Sequence, residues 1–136
     1  SSFGNNFVKT MLRLGKERDE LGVVVDQIGS PTYAGDLAKA IMEIIKNTDR
    51  YDLVHNCGMY HYSNEGVASW YDFAKAIFDL KAIKIDLKPL LTSQFPLPAK
   101  RPAYSLMDKT KIKNTFNLKI PYWRDSLKLC LELIDN

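Results

Sequence analysis

Apolar positions along this chain repeat with two different periods, and the switches between them mark the elements. Phe7, Val8, Met11, Leu12 and Leu14 recur at helical spacing and Gly15 follows as a stop, which predicts a helix over about 4–15. A β-branched run, Val23-Val24-Val25-Asp26, then predicts a strand over 23–26. Leu37, Ala40, Ile41, Ile44 and Ile45 follow the i, i+3, i+4, i+7, i+8 stripe of a helix packed on a sheet, over about 33–47. Pro31 sits where that helix can begin, because its missing N–H needs no partner there. Residues 53–62 mix apolar and polar side chains as extended chain does, with Gly58 dividing two short strands. Ser69 and Asp72 are spaced as a capping box for a third helix that buries Trp70, Phe73, Ala74, Ile77 and Phe78. Residues 83–87 alternate apolar with charged, as a strand with one wet face does. Four prolines between Lys88 and Pro102 predict a long loop. A short helix over 108–116 and a last one from about Pro121, burying Trp123, Leu127, Cys130, Leu131 and Ile134, complete the chain.

The alternation predicts a small α/β unit with three longer helices and few strands, and no internal repeat. A length of 136 residues suits one domain, residues 1–136, with 46% hydrophobic and 26% charged residues as in a globular protein. No apolar run reaches the roughly 20 residues that cross a bilayer. Two cysteines, Cys57 and Cys130, make no disulfide scaffold and suit a reducing cytoplasm. A net charge of +3 is too small to argue for nucleic acid. Its distribution is uneven: residues 1–80 hold 8 Lys/Arg against 11 Asp/Glu, and residues 81–136 hold 11 against 5. That basic half is either a solvated surface or a field that attracts a diphosphate.

The strand-turn-helix run from Val23 to Ala38 gathers Asp26, Gln27, Ser30 and Thr32 at one strand end, where open α/β sheets bind ligands. Arg101, beside Pro102, offers a fork for two phosphate oxygens. At the first helix N-terminus, Asn5 caps while Asn6 binds a ligand phosphate, or the reverse. Tyr71 and Lys75 have the Tyr-x-x-x-Lys spacing of a carbonyl-protonating pair, but they point largely away from the apolar face and no dinucleotide motif precedes them, so we read a coincidence. His55, Cys57 and His61 with Cys130 fit no common zinc spacing, and no metal site is expected. Trp70 and Trp123 fit core stripes and read as packing. The seven glycines nowhere cluster as a pyrophosphate-binding turn requires.

Five blocks in order, Gly4–Met11, Asp26–Thr32 with its DQ-GSPT pattern, Ser69–Ala74, Arg101–Ser105 and Tyr122–Leu127, resemble the dTDP-4-dehydrorhamnose reductases of the extended short-chain dehydrogenase group. The resemblance implies the substrate-binding lobe of a Rossmann-type reductase that makes dTDP-rhamnose for surface polysaccharides. The cofactor domain and the catalytic tyrosine and lysine then lie upstream, so this chain reads as an excised piece, inactive alone and binding no cofactor, while NADPH or NADH serves the full-length enzyme. It implies nucleotide-sugar contacts from Asn6, Gln27, Ser30, Thr32, Arg101 and Tyr104, docking on the chain's own N-terminal Rossmann domain, and leaves a homodimer open. Many relatives carry an arginine ahead of the Asp-Leu-Ala helix, where this chain has Gln27, Gly29 and Ser30. Two other readings stand beside it: another nucleotide-sugar epimerase, dehydratase or reductase, and a non-catalytic regulatory subunit of a methionine adenosyltransferase.

Overall fold

The structure, a computed structural model, describes residues 4–49, 55–95 and 98–135. Its elements run α1 (Phe7–Glu17), β1 (Glu20–Val24), β2 (Ile28–Gly29), α2 (Ala34–Asn47), β3 (Ala68–Ser69), α3 (Trp70–Leu80), β4 (Asp86–Leu90), α4 (Thr110–Phe116) and α5 (Trp123–Asp135), with a 3-10 turn at Thr92–Gln94. The α/β class and the scarcity of strands agree with the sequence. Among the described residues four helices, rather than three, are 11–14 residues long.

β1 and β4 pair in parallel from Glu20 opposite Asp86 to Val24 opposite Leu90. This strand reaches into the proline-rich stretch expected to be loop. The hydrogen bonds explain how: Asp86 N–H donates to the Asp19 carbonyl and Val25 N–H to that of Leu90, so the even-numbered residues of β4 face β1. Pro89 therefore turns its ring nitrogen to the free side, where no N–H is needed. α1, α3 and α5 bury Met11, Ala74, Ile77, Phe78, Leu127 and Leu131 with Leu21 and Val23 of β1 in the main core. The Ser69–Asp72 capping box starts α3 as expected.

α2 departs from expectation. Its stripe does not lie on the sheet, whose helix contacts come from α3. Ala40, with Ile44 partly buried, joins Ile112 and Leu118 in a second, smaller core, while Ile41 and Ile45 stay 47% and 58% exposed. The helix also starts three residues after Pro31, and α5 starts two after Pro121. No strand forms between 55 and 62, where His55 is helical; residues 53 and 54 of that expectation lie outside the described residues.

A buried polar junction joins the two cores. Asn64, fully buried, accepts from Tyr33 N–H at 2.9 Å through Oδ1. Its Nδ2 donates to Asp36 Oδ2 at 2.7 Å and lies 2.9 Å from Ser126 Oγ and 3.2 Å from the Pro121 carbonyl. Ser126 Oγ also donates to Asp36 Oδ2. Burial, with Asp36 nearby, pushes the Tyr62 hydroxyl up to about 12. Gly66 follows at φ +93°, where an added Cβ would lie 2.2 Å from the Tyr122 ring, so only glycine fits this turn.

Beside the junction, Glu65 bridges Lys113 at 2.8 Å and Lys109 at 3.0 Å. The Lys113 hydrogen bond is the main force holding its carboxyl below the ordinary 4.5. A lowered folded-state value contributes stability above the unfolded value that disappears as pH falls through the folded one. Glu65→Gln should therefore destabilise the protein at pH 7 and converge with wild type as pH falls through the lowered folded-state value of Glu65, as urea midpoints across that acid range will show. A difference that persists unchanged at low pH would remove the ion pairs as its cause.

Candidate functional site

The β1–α2 connection, the start of α1, the β3–α3 corner and the segment around Arg101 enclose a cavity of about 550 Å³. Backbone pairing builds its wall: β2 runs antiparallel to β3, with Ile28 opposite Ser69. On its other side Ile28 N–H donates to the Ala103 carbonyl at 2.8 Å and Ser105 N–H to the Ile28 carbonyl at 2.9 Å. Segments distant in sequence are thereby stitched around one space.

Five of the six expected site residues line it: Asn6, Gln27, Ser30, Thr32 and Arg101. Tyr104 does not. In the extended pairing with Ile28, successive side chains alternate sides, so Ser105 faces the cavity and Tyr104 stays 67% exposed outside it. Ser30 spends its proton on the Gly66 carbonyl at 2.7 Å, and Thr32 donates to the Ser30 carbonyl at 3.2 Å. Their hydroxyls brace the wall and retain acceptor capacity, which suits them poorly to phosphate.

Asn6 resolves the alternative at the helix start: it is the cap of α1, its Oδ1 accepting from Lys9 N–H at 3.1 Å, and it lines the cavity as well. The first turn of α1 carries no acidic residue, so the positive end of the helix faces the cavity uncompensated. Arg101 is the only charged side chain in the described wall, and among the described residues no carboxylate pairs with it. An anion is the ligand this polarity favours.

The opposite side is aromatic. Phe7 packs 4.9 Å from Trp70 and 5.5 Å from Phe73, and all three line the cavity. Trp70 is thus not simply core: it stands 36% exposed at the cavity edge, whereas Trp123 is buried edge-on to Phe73 at 5.8 Å. Sequence reasoning missed this because a helical stripe does not distinguish a core from a cavity wall. It also missed Thr92, whose N–H and hydroxyl bind the Asp26 carboxyl at 2.9 and 2.7 Å and hold it below the ordinary carboxylate range. Asp26 is a structural clamp; its partner lies 66 residues away and no local pattern marks it.

Tyr71 and Lys75 lie outside the cavity wall. The Tyr71 hydroxyl points to the Leu87 carbonyl at 3.5 Å, its ring packs partly against the main core, and Lys75 pairs with Asp79 on the helix surface. Cys57 is exposed and Cys130 buried, and no group of three metal-ligating side chains gathers among the described residues.

The family model for the RmlD substrate binding domain matches residues 1–136. The chain belongs to this family. A dTDP-4-dehydrorhamnose reductase of Aggregatibacter actinomycetemcomitans is 48% identical over 132 residues, which cover 93% of this chain and 45% of that protein. The spore coat polysaccharide biosynthesis protein SpsK of Bacillus subtilis is 38% identical over 129 residues, 95% of this chain and 42% of its own length. Among solved structures, the Clostridium acetobutylicum dTDP-4-dehydrorhamnose reductase superposes with a TM-score of 0.88 at 42% identity, over 98% of this chain and 45% of that one. The Bacillus anthracis reductase, solved in complex with NADP, gives 0.86 at 42% identity, over 96% of this chain and 44% of its own. This RmlD-type domain therefore spans a little under half the length of the relatives it matches. Among its described residues, no helix is long and apolar enough to cross a membrane.

Proposed function

We propose that this domain is the nucleotide-sugar-holding part of a dTDP-4-dehydrorhamnose reductase, which reduces a 4-keto sugar with a nicotinamide cofactor. The observation that carries the reading is the cavity itself, with Arg101 as its single charge, the α1 N-terminus beside it and an aromatic wall opposite. That polarity matches an anionic diphosphate flanked by two rings. The domain's contribution is position and orientation of the sugar.

The cofactor does not fit here. Gly29 is the only glycine of the described cavity wall, and the space where its Cβ would sit is already filled by Ser105 Oγ at 2.9 Å, so no open glycine cradle receives a pyrophosphate. We assign the nicotinamide site and the proton-donating group to the remainder of the polypeptide. NADPH oxidation by the complete polypeptide, dependent on dTDP-4-dehydro-L-rhamnose, tests the reading; absence of turnover with that sugar in a folded protein would sink it. In the same assay Tyr71→Phe should leave kcat within a few-fold of wild type, because its hydroxyl faces backbone rather than the cavity. A collapse of kcat with unchanged folding would place the proton donor on α3.

A further inference from the structure

The polarity of three linked hydrogen bonds determines which atom of Gln27 faces the cavity. Asp26 can only accept. Thr92 has one hydroxyl proton, and it goes to Asp26 Oδ1 at 2.7 Å, while the Thr92 N–H binds the same carboxyl. The Thr92 oxygen can therefore only accept from its remaining neighbour, which is Gln27 Nε2 at 3.1 Å. This settles the orientation of the amide without reference to how its oxygen and nitrogen are drawn. The NH2 group is turned toward Thr92, and the carbonyl oxygen of this cavity-lining residue meets no donor among the described residues. Gln27 is 8% exposed, so solvent offers its NH2 group little alternative to Thr92, and that hydrogen bond fixes the sense of the amide.

We infer that Gln27 is a fixed acceptor in the cavity wall and that it reads the imide N–H of a pyrimidine base. The inference rests on the nucleotide-sugar reading above. A carbonyl oxygen repels phosphate oxygens, so Gln27 is not a phosphate contact, and Arg101 takes that role. Sugar hydroxyls both donate and accept, so they gain no discrimination from an acceptor of enforced polarity. The imide N–H of thymine is an obligate donor, and burying it without an acceptor is costly. Cytosine presents a bare acceptor nitrogen at the same ring position, and the same geometry rejects it. Asp26 and Thr92 are positioning residues: they act on the base only through the amide they orient.

Titration calorimetry of the complete polypeptide with dTDP and with N3-methyl-dTDP tests this. Wild type should bind the methylated nucleotide at least about 10-fold more weakly. Gln27→Met, which keeps the bulk and removes the amide, should bind dTDP about 10-fold more weakly than wild type and show no preference between the two. Thr92→Val should cut the preference to roughly 3-fold, because the amide is then free to turn over. Equal binding of both nucleotides by wild type, or an undiminished preference in Gln27→Met, overturns the inference while leaving the nucleotide reading intact. Failure of wild type to bind dTDP at all overturns both.

Discussion

Asp36→Ala should lower the unfolding free energy of the complete protein by about 1–3 kcal/mol, measured from urea midpoints at constant slope. Asp36 is 4% exposed, and its Oδ2 takes hydrogen bonds from Asn64 Nδ2 and Ser126 Oγ, both on fully buried side chains. Truncation strands the Ser126 hydroxyl away from water at a cost of about 1–3 kcal/mol, while Asn64 Nδ2 keeps Ser126 Oγ and the Pro121 carbonyl as acceptors. Replacing the whole cluster by apolar groups would cost less, since unmade bonds rather than missing ones dominate. Asp36→Asn keeps an acceptor oxygen and should lose no more than half as much. The damage also reaches the cavity: Asn64 holds Tyr33 at the start of α2, and Gly66, two residues on, accepts from Ser30 in the wall. A loss below about 1 kcal/mol would show that water replaces the carboxyl, contrary to the packing seen.

Arg101→Ala should weaken nucleotide-sugar binding roughly 10- to 150-fold, the equivalent of about 1.5–3 kcal/mol for hydrogen bonds to a charged group. The lower part of that range is favoured because Arg101 is exposed before ligand arrives, so solvent screens part of its field. A diphosphate contact of the kind proposed holds ground state and transition state alike, so KM should rise while kcat changes little. Arg101→Lys restores charge without the two-pronged geometry and should recover only part of the affinity. Unchanged KM in a stable Arg101→Ala protein would leave the Arg-Pro segment as a turn beside the cavity.

Both predictions depend on residues of very different legibility. Arg101 is a strong fork-bearing side chain next to a proline, and its candidacy is readable from residue type. Asn64 and Ser126 are ordinary polar residues in unremarkable surroundings. Their importance comes from meeting Asp36 across 28 and 90 residues of chain. Tyr104 stands outside the cavity wall for a related reason: which side chain of an extended segment faces inward depends on its register against Ile28, and register is decided by the partner strand.

Local chemistry by itself determined the helix positions, the Ser69–Asp72 cap, the α/β class and the gathering of Gln27, Ser30 and Thr32 after β1, because periodicity, capping and turn preference act over a few residues. Tertiary structure alone decided that β4 extends through Pro89, since only pairing with β1 shows which edge lacks a donor. It also decided that α2 packs away from the sheet, which α3 already occupies on its covered face. The direction in which Gln27 presents its amide belongs to the same class. A hydrogen bond has a sense as well as a length, and that sense passes from Asp26 through Thr92, 66 residues distant, before it reaches the cavity.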